Sequence, residues 1–195
     1  TKNLVSAIKK YQKKKIFFFF SSSSHVYSFS KKNIIETDKI KGISEYGKTK
    51  ILAEKYLLKN SRFYNLCIGR ISSLLSENQT SNFVINKIID KGKKNKKIIF
   101  GNSNIKRDFI YVDDVSKIII KIIEKKIVGI VNISNSEITY LPDLFVYLKN
   151  KYGFIIDHYS NKDEYLVLSN KLLIKKIGIF KFLKINDIIQ KIYDN

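Results

Sequence analysis

The chain has 195 residues, 44% of them hydrophobic, enough for one sizeable domain with a proper core, which excludes a generally disordered polymer. No apolar run approaches the roughly 20 residues that span a bilayer, and nothing at the start reads as a signal peptide. The net charge of +20 comes from 37 basic residues, of which only Arg62, Arg70 and Arg107 are arginines; lysines spread along the whole chain describe a solvated surface, suited to steering a phosphorylated substrate, rather than a nucleic-acid face or a membrane patch.

In chain order, "TKNLVSAIKKYQ" places Leu4, Val5, Ala7 and Ile8 on one side of an amphipathic helix. "IFFFF" is an unbroken apolar run that fits a strand covered on both faces. A polar loop leads to about Ile43. "SEYGKTKILAEKYLLKN" then reads as a helix capped by Ser44. "YNLCIGRI" is a second buried strand and holds the sole cysteine, Cys67. One cysteine makes no internal disulfide, so a reducing cytoplasm is the expected setting. "NFVINKIIDKG" is a helix stopped by Gly92, and "KKIIFG" a third strand. "RDFIYVDDVSKIIIKIIEKK" passes from an extended stretch into a helix that Asp113 can cap. "GIVNIS" is a fourth strand, and "TYLPDLFVYLKNKYG" a helix with Pro142 in its first turn. A short strand, "FIIDHY", and two weakly marked helices close the chain. Strand and helix alternate throughout, the pattern of an α/β fold with a parallel sheet.

The segment richest in chemistry is Tyr46-Gly-Lys-Thr-Lys50. On a helix, Tyr46 and Lys50 share one face. A tyrosine ordinarily ionises near pH 10, and bringing it to neutrality takes about 4 kcal/mol. A unit positive charge ~4 Å away supplies about that much at an effective dielectric near 20. The spacing alone is weak evidence, for "YQKKK" at Tyr11 repeats it. Its context is stronger: an apolar strand, a serine cluster, Val26-Tyr27, a loop, "YGKTK", and Glu54 one turn beyond Lys50.

With that order of motifs the chain resembles the extended short-chain dehydrogenase/reductases, the NAD-dependent epimerase/dehydratase family of nucleotide-sugar enzymes. "FFSSSSHVYS", "SEYGKTKILAEKYL", "GNSNIKRDFIYVDDV", "GIVNIS" and "LLIKKIGI" all have counterparts there. The resemblance implies a Rossmann-like, doubly wound parallel sheet, incomplete in this chain, with a smaller mixed α/β substrate-binding part toward the carboxyl end. Residues 1–78 would belong to the nucleotide-binding domain and 79–195 to the substrate part, interleaved with the last strands and helices of the sheet. It further implies NAD or NADP as cofactor, a nucleotide-diphosphate sugar as substrate, and a homodimer for the full-length protein. Ser23, three residues before Val26, takes the place of the active hydroxyl. Tyr46 would exchange a proton with a sugar oxygen, and Lys50 would lower the tyrosine's pKa and hold the nicotinamide ribose. Ser72 falls among cofactor contacts, and Ser73, Asn82, Phe83 and Arg107 among substrate contacts, Arg107 gripping the pyrophosphate. The plainer alternative for Arg107 is an ion pair with Asp108 or Asp113.

Three departures qualify these expectations. The glycine-rich pyrophosphate turn with which the family begins has no counterpart, so the chain reads as an amino-terminally truncated form. "ISSLLSEN" stands where an aromatic, an asparagine and a Tyr-Gly pair are usual. Ser24 and His25 follow Ser23 where dehydratases carry an Asp-Glu pair, which favours 4-epimerase or keto-sugar reductase chemistry over elimination. The competing reading is a non-catalytic relative that uses the same cleft to bind a nucleotide or a protein.

Overall fold

The computed structural model describes residues 1–80, 83–95, 97–159 and 162–195. Helix α1 (Lys2–Tyr11) leads into β1 (Ile16–Ser23), α2 (Glu45–Lys59) and β2 (Tyr64–Ile71). A short β3 (Ser73–Leu75) precedes α3 (Val84–Asn95), β4 (Lys97–Asn102), β5 (Ile105–Arg107) and β6 (Phe109–Tyr111). Then come α4 (Val112–Glu124), β7 (Gly129–Ile133), β8 (Thr139–Tyr140) and α5 (Leu141–Tyr152). The chain ends with β9 (Ile155–Tyr159), β10 (Glu164–Leu166), α6 (Lys171–Ile177) and α7 (Ile185–Asp194).

The organising layer is a parallel sheet in the order β1-β2-β7. Successive side chains of a strand point to opposite faces, and the phenylalanine run divides accordingly. Phe18 and Phe20 join Val5 and Ile8 of α1 and Leu57 of α2, whereas Phe17 and Phe19 join Val115, Ile118 and Ile122 of α4 and Leu173 of α6. Helices therefore cover both faces, the doubly wound arrangement expected from the alternating pattern. Among the described residues β1 is paired on one side only, and Phe17 to Phe20 are half-buried. Cys67 is fully buried between the layers, where burial pushes its thiol up to about 12; it is a packing group, not a nucleophile.

A second core gathers α3, α5 and α7 around Ile88, Leu144, Phe145, Leu148 and Ile188, with the parallel pair β4·β9 beside it. Two short parallel strands, β3·β6, and the β10-β5-β8 sheet complete the strands. These two- and three-residue strands carry too few side chains to show a period, and the sequence reading missed β3, β5, β8 and β10.

Two local expectations fail. The helix thought to stop at Gly92 runs on to Asn95. Gly92 is there for a close approach, since a methyl group at that point would lie 2.4 Å from the Phe154 ring. Asp113 does not cap α4, whose N-cap position is Tyr111 with no side-chain cap bond. Its neighbour Asp114 instead accepts the Leu183 amide at 2.8 Å, tying α4 to the segment before α7.

Candidate active site

All three strands of the main sheet run the same way, so their carboxyl ends form one edge, with Ser23 beside Ile71 and Ile71 beside Ile133. At that edge β1 breaks into a 3-10 turn, Ser24–Val26, because Ser23 Oγ accepts the His25 amide at 3.2 Å. The oxygen is used as an acceptor, and its own proton stays free to donate. Helix α2 starts against this turn. Ser44 Oγ accepts the Gly47 amide at 3.0 Å and lies 3.1 Å from His25 Nδ1. A Cβ on Gly47 would sit 2.2 Å from the His25 carbonyl oxygen, so only glycine lets the helix approach the turn this closely.

That approach sets the positions of Tyr46 and Lys50. The Lys50 ammonium donates to the Ser21 carbonyl at 2.8 Å and stands 5.1 Å from the centre of the Phe20 ring and 5.5 Å from that of Tyr46. The lysine thus bridges the strand end that carries Ser23 and the phenol one helical turn before it. Tyr46 is 53% exposed, its ring edge-on to His25 at 6.0 Å and 76°. Two clefts are lined elsewhere, by Thr1 and Tyr56 with their neighbours and by Lys15 and Val128 with theirs. The strand-end site is an open ledge.

Beneath the ledge runs a buried polar chain. Ser22 Oγ donates to Glu54 Oε1 at 2.5 Å. Arg70 grips both oxygens of Glu54, Nε at 3.1 Å and Nη2 at 2.7 Å, and both side chains are almost completely buried. Arg70 Nη1 continues to the Tyr27 hydroxyl at 2.8 Å, which donates to Asn132 Oδ1 at 2.7 Å. Burial pushes Tyr27 up to about 12 against the opposing pull of Arg70, so this phenol is a fixed hydrogen-bonding post. The chain ties β1, α2, β2 and β7 together directly under Ser23. In the sequence Glu54 and Tyr27 stand only as context, and Arg70 and Asn132 carry no assigned role. The available signal was Arg70 itself: a guanidinium in the apolar run "YNLCIGRI" demands a buried carboxylate.

Of the other expected residues, Ser72 and Ser73 follow β2 at the same edge. Ser72 is buried, its amide bonded to the Ile133 carbonyl. Ser73 is half-buried in β3. Arg107 pairs with neither Asp108 nor Asp113: its Nη2 meets Glu164 Oε2 at 2.7 Å, and its guanidinium lies 5.2 Å from the Phe29 ring. Burial, then the Arg107 charge, hold His25 below the usual histidine range. Phe83 is exposed just before α3, and no hydrogen bond or ring contact found among the described residues links it to the other candidates. Asn82 lies outside the described residues.

A doubly wound parallel α/β sheet with a hydroxyl, a phenol and an ammonium at its carboxyl edge is a ligand-binding Rossmann-type architecture, since open sheets of this kind bind ligands at that edge. The chain belongs to the NAD dependent epimerase/dehydratase family, whose profile matches residues 1–134. A Methanocaldococcus jannaschii protein provisionally named UDP-glucose 4-epimerase is 37% identical over 125 residues, which cover 61% of this chain and 41% of that protein. The chain thus spans less than half the length of that relative. The fold is similar to UDP-glucuronic acid 4-epimerase from Bacillus cereus, in complex with UDP-glucuronic acid and NAD (TM-score 0.86, 22% identity, 98% of this chain and 64% of that one). It is equally similar to RMD from Pseudomonas aeruginosa complexed with NADPH (TM-score 0.86, 18% identity, 98% and 70%). No described helix is long and apolar enough to cross a membrane.

Proposed function

We propose that this chain is the catalytic and substrate-binding part of an NAD(P)-dependent nucleotide-sugar 4-epimerase or keto-sugar reductase, with Tyr46 as its acid/base. The observation that carries the reading is the placement of Lys50, which joins the strand end bearing Ser23 to the ring of Tyr46. Family membership, the M. jannaschii relative and the cofactor complexes of similar fold support it.

The residues present suit the nicotinamide end of the cofactor. Lys50 spends one ammonium proton on Ser21 and keeps two for a ribose, and Ser23 retains a hydroxyl proton. The sequence contains no glycine-rich turn for the pyrophosphate. When bound, the nicotinamide supplies hydride exchange with a sugar carbon. Tyr46 takes the proton from the sugar hydroxyl, or returns it to the keto oxygen, while Ser23 donates a hydrogen bond to that oxygen as charge develops. Arg107 has Nη2 on Glu164 and Nη1 on the Lys106 carbonyl at 3.3 Å, and its remaining donors would meet the substrate's phosphates. Ser73, Asn82 and Phe83 complete the nucleotide-sugar contacts. On this reading the full-length protein is a homodimer acting in the cytoplasm.

The test is turnover of UDP- or dTDP-linked hexoses by the full-length gene product with NAD or NADP. Parental activity is expected to vanish in Tyr46→Phe. Unchanged turnover in that variant would refute the acid/base role and leave the binding-only relative as the better account.

A further inference from the structure

We propose that His25 is a proton relay for Tyr46, a role that rests on the acid/base reading above. His25 is held by three contacts, two at its backbone and one at its ring. Its own amide closes the turn onto Ser23 Oγ, its carbonyl accepts the Ile43 amide at 3.1 Å, and its Nδ1 lies 3.1 Å from Ser44 Oγ. The ring stands edge-on to Tyr46 at 6.0 Å, and among the described residues no bond is found at Nε2. Gly47 packed on the His25 backbone fixes the distance between the turn and the helix that carries the phenol. The side chain therefore lies between the Tyr46 ring on one side and the half-buried Ser44 hydroxyl on the other.

A relay needs a neutral imidazole, which offers a lone pair at one nitrogen and a proton at the other. Burial and the Arg107 charge favour that form. The groups facing the ring account for it. Tyr46 and, behind its ring, Lys50 come from α2, while Arg107 comes from β5 with its charge partly answered by Glu164 of β10. No carboxylate is bonded to the imidazole among the described residues. Once a sugar and a cofactor cover the ledge, the proton that Tyr46 takes from the substrate hydroxyl passes to Nε2. The Nδ1 proton moves to Ser44 Oγ in the same event, and the Ser44 hydroxyl proton leaves to water. Reduction of a keto sugar runs the same path inward, supplying the one proton that reaction consumes.

The chain contains two histidines, His25 and His158, so carbon-13 labelled imidazoles give two titrations, assigned with His158→Gln. His25 is expected to titrate below the ordinary histidine midpoint. A Tyr46 ring resonance, assigned by its loss in Tyr46→Phe, should inflect at that same midpoint, because coupled groups report one another's protonation. The inflection should vanish in His25→Gln. An ordinary His25 midpoint with no response at Tyr46 overturns the relay. In the active full-length protein, His25→Gln should lower the rate of keto-sugar reduction about 10- to 100-fold with KM unchanged. His25→Ala should be partly rescued by free imidazole, and Tyr46→Phe should not. A parental rate in His25→Gln sinks the relay but leaves Tyr46 in its role, whereas a parental rate in Tyr46→Phe sinks the reading beneath it.

Discussion

Among the described residues two helices carry a tyrosine and a lysine four residues apart, and the pair that makes the better bond is not the one proposed to react. On α5, Lys151 Nζ donates directly to the Tyr147 hydroxyl at 3.1 Å, and that bond holds the lysine above its usual range. On α2, Lys50 reaches past Tyr46 to the Ser21 carbonyl. The α5 pair faces solvent beside Tyr152, whereas the α2 pair faces a strand end that carries a serine hydroxyl. A third pair, Tyr11 and Lys15, never forms a helical face at all, since α1 ends at Tyr11. Spacing brings a phenol and an ammonium together. What they can do is set by the third group they meet.

The sharpest way to break the comparison is to remove each phenol oxygen. Tyr46→Phe is expected to cost about 100- to 10,000-fold in turnover, the range of a lost acid/base group, with the fold unchanged by circular dichroism. The second contrast concerns what lies underneath. The α2 pair is underpinned by Glu54 and Arg70, both almost completely buried, and Glu54→Ala strands a guanidinium in the core. A loss of about 3–5 kcal/mol is expected in urea unfolding. Glu45→Ala, which breaks an exposed pair with Lys48, should cost no more than about 1 kcal/mol. Equal losses in the two variants would mean that the buried chain does not hold the ledge.

Much of this was legible in the residues. The phenylalanine run had to be a covered strand, Ser44 had to cap α2, and the serine strand and the Tyr-Lys helix had to meet if they shared a site. What stayed hidden depended on partners far along the chain. Arg107 answers Glu164 rather than its neighbours, because β5 pairs with β10 across 57 residues. Gly92 reads as a helix stop until the Phe154 ring is placed against it. The polar chain under Ser23 joins residues from 22 to 132 in sequence. No local pattern carries such contacts, although a buried arginine announces that one must exist.

The same sheet edge also carries a pH-sensitive group. Asp108 is fully buried and hydrogen-bonded by Ser134, and burial, opposed by the hydrogen bonds it accepts, raises it to about 6 from an ordinary 3.8. The folded chain therefore keeps this proton over a range where the unfolded chain has released it. The contribution to stability is complete below about pH 4 and is lost as the pH rises through about 6. The difference amounts to about 3 kcal/mol at most. Asp108→Asn, which cannot ionise, should gain on the parent as unfolding is measured from pH 4 to pH 7. A constant difference between the two across that range would show that Asp108 ionises in the folded chain as it does in the unfolded one.

The smallest expected effect completes the comparison of the two helices. Tyr147→Phe removes the hydroxyl from the closer of the two pairs and frees Lys151. Both groups of that bond are exposed, and water replaces the partner at little cost, so unfolding should change by less than about 0.5 kcal/mol. Turnover should match the parental protein, because the α5 pair has no strand end, no serine and no buried ion pair behind it. A clear loss of turnover in Tyr147→Phe would move the site to the other helix, and with it every role assigned here to Ser23 and Lys50.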